Sequence, residues 1–431
     1  MTVGTLLSRA AIITPALWLW LSPGVARATQ PLEEFLQGSE SVAFDAREQA
    51  ATARQKDAEA DAALGRLLPS LTARGVYTRN QFEVAANLGG NRAVIQPQNQ
   101  LDAFFVLDVP IVDLASYYRL RSGRAAARVA ETQRDVTRVE VSRGVARGYY
   151  QFVGASALAR AARESIKVAE ANLRNVELKS SAGVATTFDV ERARANAERA
   201  RQDLADAELA VSLAGRALET LSGVSPQPSN DFPQDDLHAE APLDRWMSAA
   251  GESPQDRAAR EASSAATEGK KSATAALLPT LSGSAQQRFT NATGFAGREA
   301  IYQLQLVLQW RLDYGTYATS QAQAASRDVQ KVREEKVRRA VSDSVFEAYR
   351  RVEAGVVKAR SSRAQSSAAA RAAELASDRY DAGAATQLDV VQAQREAFLA
   401  DANKIQADAD LAFARASLRL AAGSPPSRRN P

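Results

Sequence analysis

Gly183-Val184-Ala185-Thr186-Thr187-Phe188-Asp189-Val190 returns two hundred positions later as Gly383-Ala384-Ala385-Thr386-Gln387-Leu388-Asp389-Val390. The same offset carries Asp113 onto Asp313, Tyr117 onto Tyr317 and Gly223 onto Gly423. Leu67-Leu68-Pro69-Ser70-Leu71 also returns, as Leu277-Leu278-Pro279-Thr280-Leu281. A period this long exceeds that of a solenoid unit. The pattern is that of a duplicated half-molecule, so an element found in one half is expected in the other.

Downstream of the first Gly, Val190, Ala193, Ala197, Ala200, Leu204, Ala207, Val211, Ala214, Leu218 and Leu221 recur in unbroken steps of three and four. The second copy places Val390, Ala393, Ala397, Ala400, Lys404, Ala407, Leu411, Ala414, Leu418 and Ala421 in the same register, and only Lys404 interrupts it. Such a heptad seam predicts a left-handed supercoil. Its many Ala knobs let helices approach closely, which suits a thin helical wall.

Upstream, no Pro occurs from Asp113 to Ala182 or from Asp313 to Ala382. About seventy residues of helix would be ~105 Å long, more than an ordinary globular domain needs. Gly183 and Gly383 stand where a helix ends. Thr187 or Asp189, and Gln387 or Asp389, stand where the next helix would be capped. Each half is therefore expected to hold a long helical hairpin, with tips near 183–190 and 383–390.

The other end of each half reads as strand. Tyr302, Leu304, Leu306, Leu308 and Trp310 alternate with Gln303, Gln305, Val307, Gln309 and Arg311, a period of two with aromatics at both ends. Ala103, Phe105, Leu107 and Val109 form a similar face opposite Asp102 and Asp108. Weaker alternation follows each Pro, at Leu71, Ala73, Gly75 and Tyr77, and at Leu281, Gly283, Ala285, Gln287 and Phe289. The strand pairs span about 70–111 and 280–312, and strands of about ten residues cross a bilayer when tilted. Between them lie polar segments rich in Gly and Asn, Asn80 to Gln100 and Thr290 to Ala300, which read as outer loops.

These landmarks divide the chain into a first repeat (29–223), a Pro-rich linker (224–254), a second repeat (255–423) and a tail (424–431) expected to be disordered. Residues 1–28 read as a signal peptide: Arg9, an apolar run from Ala10 to Leu21, and Ala26-Arg27-Ala28 as the cleavage pattern near Ala28. The formal net charge is +4, and losing Arg9 and Arg27 leaves about +2, a balance that gives no reason to expect a nucleic-acid partner. There is no Cys, so no disulfide is available. No phosphate-binding Gly loop, His/Cys metal set or Cys nucleophile points to an enzyme, a cofactor or a metal. His238, the single His, lies in the linker and is given no role.

Four strands cannot close a transmembrane barrel, since the smallest use eight. An open edge cannot sit in lipid, where each unpaired backbone group costs several kcal/mol. Strands that enter a bilayer therefore require several chains to share one barrel. The pattern alone implies an oligomeric tube, part β-barrel and part helical barrel.

At this point the chain resembles the TolC-type outer membrane efflux family over nearly its whole length after the leader. The likeness rests on the duplicated halves and the Leu-Leu-Pro entry to each first strand. It rests also on the junctions Val109-Pro110-Ile111-Val112-Asp113 and Leu312-Asp313-Tyr314-Gly315, and on the Gly…Asp-Val tips. The resemblance implies a mainly α homotrimer: a 12-stranded outer membrane β-barrel, four strands per chain, continued by a periplasmic α-helical barrel of coiled-coil helices. It implies a passive exit duct in the outer membrane of a Gram-negative bacterium, not an enzyme. The expected partners are outer membrane lipid, a periplasmic adaptor (membrane fusion protein), and an inner membrane pump of RND, ABC or MFS type that supplies the energy. Family members serve drug efflux, metal efflux and type I protein secretion.

The resemblance also implies roles for the tips. Gly183, Val184, Ala185, Thr186, Gly383, Ala384, Ala385 and Thr386 match the adaptor-contact turns. A Tyr–Asp contact that holds the family's gate closed matches Tyr380 and Asp189. A second link that uses an Arg in the family meets Ala385 here. Of two pore-lining Asp one turn apart, Asp389 matches the first and Gln392 stands at the second. Asp189 and Asp389 would equally serve as helix caps. Tyr302 and Trp310 read as membrane-interface aromatics. The alternative is a structural periplasmic coiled-coil protein without channel activity, which would not need two pairs of alternating strands; a periplasmic adaptor would show one hairpin and no duplication.

Overall fold

The computed structural model describes residues 30–88, 91–228, 232 and 234–426. The signal peptide expected over 1–28 and the tail residues 427–431 lie outside the described residues. The first half runs α1 (Leu32–Val42), α2 (Phe44–Gly65), β1 (Ser70–Arg79), β2 (Val84–Leu88), β3 (Asn91–Gln96), β4 (Asn99–Val112), α3 (Leu114–Ser181) and α4 (Thr187–Ser222). After the linker come α5 (Leu243–Ala250), α6 (Pro254–Ala275), β5 (Thr280–Thr290), β6 (Ala300–Gln309), α7 (Tyr314–Asp381) and α8 (Gln387–Ala421). α3 and α7 each have 68 residues, a length of ~102 Å. Both start identically: Asp113 and Asp313 accept from the backbone N–H of Ser116 and Thr316, at 2.9 and 2.8 Å.

The seam read from sequence is the packed one. Ala193, Ala197, Ala200, Ala207 and Leu218 of α4 are buried, and no other seam residue of α4 is exposed. α3 and α4 also carry a ladder of ion pairs one heptad apart: Arg163–Glu208 at 2.8 Å, Glu170–Arg201 at 2.9 Å and Glu177–Arg194 at 3.8 Å. Exposed pairs contribute ~0–1 kcal/mol each, so their part is to fix antiparallel register rather than to supply stability. The second hairpin keeps the top rung only, Arg363–Asp408 at 2.8 Å. Ala370 and Asp401 replace the middle rung, and Ser377 and Gln394 the lowest.

At the waist, α4 ends at Gly223, whose positive φ of 69° suits only glycine well. α1 crosses there so closely that a Cβ on Gly38 would lie 2.3 Å from the Ser222 carbonyl oxygen. In the second half, Gly423 turns in the same way against Ser253 and Pro254 at the start of α6. The long columns of the second half are thus α7 and the relayed pair α8–α6.

The linker departs from expectation. It is a strap with a helix of its own, α5, whose Trp246 enters the core formed by Val345, Val352, Leu411 and Leu418. Pro254 is not linker but the first residue of α6, capped by Ser253, because a missing N–H costs nothing at that position. Arg415 of α8 is buried and gathers the strap: Nε lies 2.6 Å from Asp235, Nη1 meets Glu240 and His238, and Nη2 donates to the His238 carbonyl at 2.8 Å. Arg363 donates to the Asp235 carbonyl at 2.9 Å. His238 thus takes part in this node, a role its isolation in sequence did not suggest.

β1, β4, β5 and β6 form one antiparallel sheet in the order β1-β4-β5-β6, with both outer edges unpaired among the described residues. Their register aligns the apolar alternation across the sheet. Leu71 faces Leu107, Leu107 faces Ala285, and Ala285 faces Leu304; Tyr77 faces Leu101. One face therefore carries Leu71, Tyr77, Phe105, Leu107, Leu304, Leu306 and Leu308, all exposed. The opposite face carries Thr72, Arg74, Asp102, Asp108, Gln286, Arg288, Gln303 and Gln305. The loop expected over 80–100 is only partly a loop: it contains the hairpin β2–β3, closed by a Glu83–Arg92 ion pair.

Candidate functional site

The two tips are built the same way. Gly183 and Gly383 have φ of 75° and 74°. At the first tip the N–H of Gly183 donates to Ser180 O (3.0 Å) and that of Val184 to Lys179 O (2.8 Å); at the second, Gly383 donates to Tyr380 O (3.1 Å) and Ala384 to Arg379 O (2.7 Å). This is the Schellman pattern, which satisfies the last carbonyls of each long helix. Each following helix opens with a reciprocal capping box. Thr186 and Thr386 accept from the N–H of Asp189 and Asp389, whose carboxylates accept from the Thr N–H and hydroxyl in return. The cap is thus one residue earlier than Thr187 or Gln387, and each Asp is its partner at the third helical position. The Thr386 hydrogen bonds hold the Asp389 carboxyl below the usual carboxylate range.

Gly183, Val184, Thr186, Gly383, Ala384 and Thr386 are exposed, and Ala185 and Ala385 half-buried. Val184 and Phe188 are 77% and 65% exposed, so the first tip presents apolar surface. Asp389 and Gln392 are exposed and Asp189 half-exposed.

The hairpins meet through residues that the repeat does not share. Lys179 at the end of α3 lies 2.9 Å from Asp381 and 4.0 Å from the centre of the Tyr380 ring. Asn175 donates to the same carboxylate at 3.0 Å, and Asn196 lies 3.4 Å from Gln394. The Lys179 and Asn175 hydrogen bonds hold Asp381 below its ordinary value. Its contribution is therefore complete above the usual carboxylate range and is lost as pH falls through the lowered value. Burial chiefly pushes the Tyr380 hydroxyl up, Lys179 opposes this, and the charges of Asp189 and Asp381 add to it. Tyr380 is accordingly a protonated donor within the field of Asp189. In this chain the Asp189 carboxylate is occupied by Thr186, with Oδ2 at 2.7 Å from the hydroxyl. Sequence reading missed Lys179 because its partners are two hundred residues away.

Above the tips the hairpins part to leave a cleft of about 430 Å³. Ala370, Ser377, Gln394 and Asp401, the positions where the second hairpin lacks its ladder rungs, all line it, together with Phe398 and, from the first hairpin, Val168 and Arg199.

At the other pole, Tyr302 is 75% and Trp310 63% exposed. Trp310 lies just past β6, its Nε1 donating to Leu277 O at 3.0 Å. Eight residues separate the two rings, ~27 Å along a strand, or ~21 Å of height at a tilt of ~40°. Among the described residues no helix is long and apolar enough to cross a membrane.

Solved structures share this architecture. A membrane protein from Pseudomonas aeruginosa superposes with a TM-score of 0.80 at 18% identity, over 92% of this chain and 91% of that one. The Campylobacter jejuni CmeC outer membrane channel gives 0.79 at 17% identity, over 92% and 87%. The outer membrane protein VceC from Vibrio cholerae gives 0.76 at 16%, over 91% and 96%. No curated protein matches by sequence. The family profile described as "Outer membrane efflux protein" matches residues 39–224 and 247–424, one stretch for each half of the duplication. The chain belongs to the outer membrane efflux protein family.

Proposed function

We propose that three copies of this chain form an exit duct through the outer membrane, closed at rest by their tips and opened by contact with a periplasmic adaptor and an inner membrane pump. The observation that carries this reading is the four-stranded sheet. One of its faces is apolar except for Gln287, which sits between Phe105 and Tyr302; both of its edges are open, and it runs directly into helices ~100 Å long. Edges are forbidden in lipid, so the sheet must close with other copies. Two chains would give eight strands, whose interior is filled by side chains; three give twelve and leave a lumen. The apolar face then meets outer membrane lipid, with Tyr302 and Trp310 at its two interfaces, and the polar face lines the duct. The duct performs no chemistry, and the pump, of RND, ABC or MFS type, drives transport.

In this reading the second hairpin moves and the first holds still. The first has three ladder rungs and the second has one. The Lys179–Asp381 and Lys179–Tyr380 contacts, with Asp189 beside them, latch the second tip to the first. The exposed tip residues Gly183 to Thr186 and Gly383 to Thr386, and the cleft between the hairpins, are where the adaptor engages. Asp389, one from each chain, lines the closed end and attracts cations, and Gln392 leaves that ring with a single acidic layer.

The test is electrical. Purified protein in planar bilayers should show a small resting conductance, which Asp189→Ala or Tyr380→Ala, the latter removing the ring that Lys179 stacks on, raises severalfold. Unchanged conductance in both variants would remove these residues from the latch. A protein found soluble in the periplasm, with no channel activity, would reject the duct.

A further inference from the structure

We propose that the barrel lumen holds a binding site for anionic aromatic solutes, formed by Arg74, Phe104 and Arg288. The inference rests on the trimeric duct reading and adds a site to it. Arg74 pairs with Phe104 across β1 and β4, and Phe104 with Arg288 across β4 and β5, so the three stand in one row on the polar face. The Arg74 guanidinium carbon is 5.0 Å and that of Arg288 5.6 Å from the centre of the Phe104 ring. Two guanidinium groups therefore flank one aromatic ring about midway along β1 and β4.

The charges in this row do not cancel. Arg288 is neutralised by buried Asp102, 2.7 Å away. Arg74 is exposed and, among the described residues, has no carboxylate within ion-pair distance. Within this row each chain thus leaves one positive charge unpaired, and three chains make a ring. The next lumenal carboxylate of β4, Asp108, is four residues on, ~14 Å along the strand. That exceeds the Debye length of ~8 Å at physiological salt; exposed Glu299, opposite Thr290 just before β6, is the nearer carboxylate and, among the described residues, makes no ion pair with the arginines of this row.

A guanidinium stacked on an aromatic ring keeps its in-plane N–H donors free for the paired oxygens of a carboxylate or sulfonate. An aromatic body attached to that anion can extend the stack against Phe104 and the guanidinium faces. The site selects planar anions and repels cations, the opposite preference to that of Asp389 at the tips.

Pyrenetetrasulfonate is a direct probe, its binding to detergent-solubilised protein followed by fluorescence anisotropy. Binding is expected in ~0.1 M salt and should weaken strongly in ~1 M, where the Debye length is ~3 Å. Arg74→Gln should weaken it about tenfold, the loss of one charge-assisted contact per chain. Arg339→Gln, on the exposed face of α7, should leave it unchanged. Equal affinity in wild type and Arg74→Gln, or no binding to wild type, would overturn the site. Light scattering on the same samples separates the two levels. Trimers with unaltered Arg74→Gln affinity reject the site alone, whereas monomers reject the duct and the site together.

Discussion

Leu306→Arg should remove the protein from the outer membrane. Leu306 lies in the middle of β6, 69% exposed, opposite Gly283, and flanked on the same face by Leu304 and Leu308. In the proposed barrel this position lies at the centre of the lipid-facing band. An Arg there costs ~2–4 kcal/mol at the bilayer midplane, and a trimer carries the cost three times. Gln305→Arg, one residue away on the polar face, should be tolerated, because it points into the duct. The check is the amount of heat-sensitive oligomer in outer membrane fractions: near zero for Leu306→Arg and close to wild type for Gln305→Arg. Equal amounts of both variants would mean that the faces have been assigned wrongly.

The second large effect is at the waist. Arg415→Met should lower stability by ~3–5 kcal/mol, because it leaves Asp235 and Glu240 without their cation in a buried site. The Arg415 side chain is 5% exposed, Glu240 3% and Asp235 12%. Thermal unfolding of the detergent-solubilised protein should show a clear fall in midpoint. Arg339→Met is the matched control: its Glu335 partner is 60% exposed, and such a pair contributes ~0–1 kcal/mol. A similar small shift in both variants would mean that the strap is held by Trp246 and its apolar neighbours and not by the charged node.

Much of this architecture was legible in the sequence because it is periodic. The seam from Val190 to Leu221 gave α4 its buried face. The alternation from Tyr302 to Trp310 gave the sheet its two sides, and the absence of Pro between Asp113 and Ala182 gave α3 its length. What was missed is either local geometry or long-range pairing. Thr186 and Thr187 have the same side chain, and only the extended backbone of Thr186, with φ −85° and ψ 158°, makes it the cap. The hairpin β2–β3 did leave a signal, since Val84 and Ala85 precede, and Val94 and Ile95 follow, a Gly-Gly-Asn segment. Its Gly and Asn content hid that signal by resembling an ordinary loop. The Arg415 node joins residues some 175 positions apart, and no periodic pattern marks such a contact.

The ion-pair ladder lies between these cases. Arg163, Glu170 and Glu177 are spaced by heptads, as are Arg194, Arg201 and Glu208. Their pairing becomes visible only once the antiparallel register of α3 and α4 is known. The same register shows that the duplication retained Arg363–Asp408 and lost the two rungs nearer the second tip, which gives the proposed asymmetry of the gate a residue-level basis.

The proposed duct requires the open sheet to close by joining β6 of one chain to β1 of the next, three times over. The chain has no Cys, so engineered thiols report this without background. Val76→Cys on β1 can be combined in turn with a Cys at Gln303, Gln305 or Val307 on β6, all on the polar face. Oxidation in outer membranes should, for at least one pairing, convert the protein to a covalent ring of three chains with no larger species. Uncrosslinked monomers for all three pairings, or crosslinking that ends at two chains or runs on as a ladder, would contradict it.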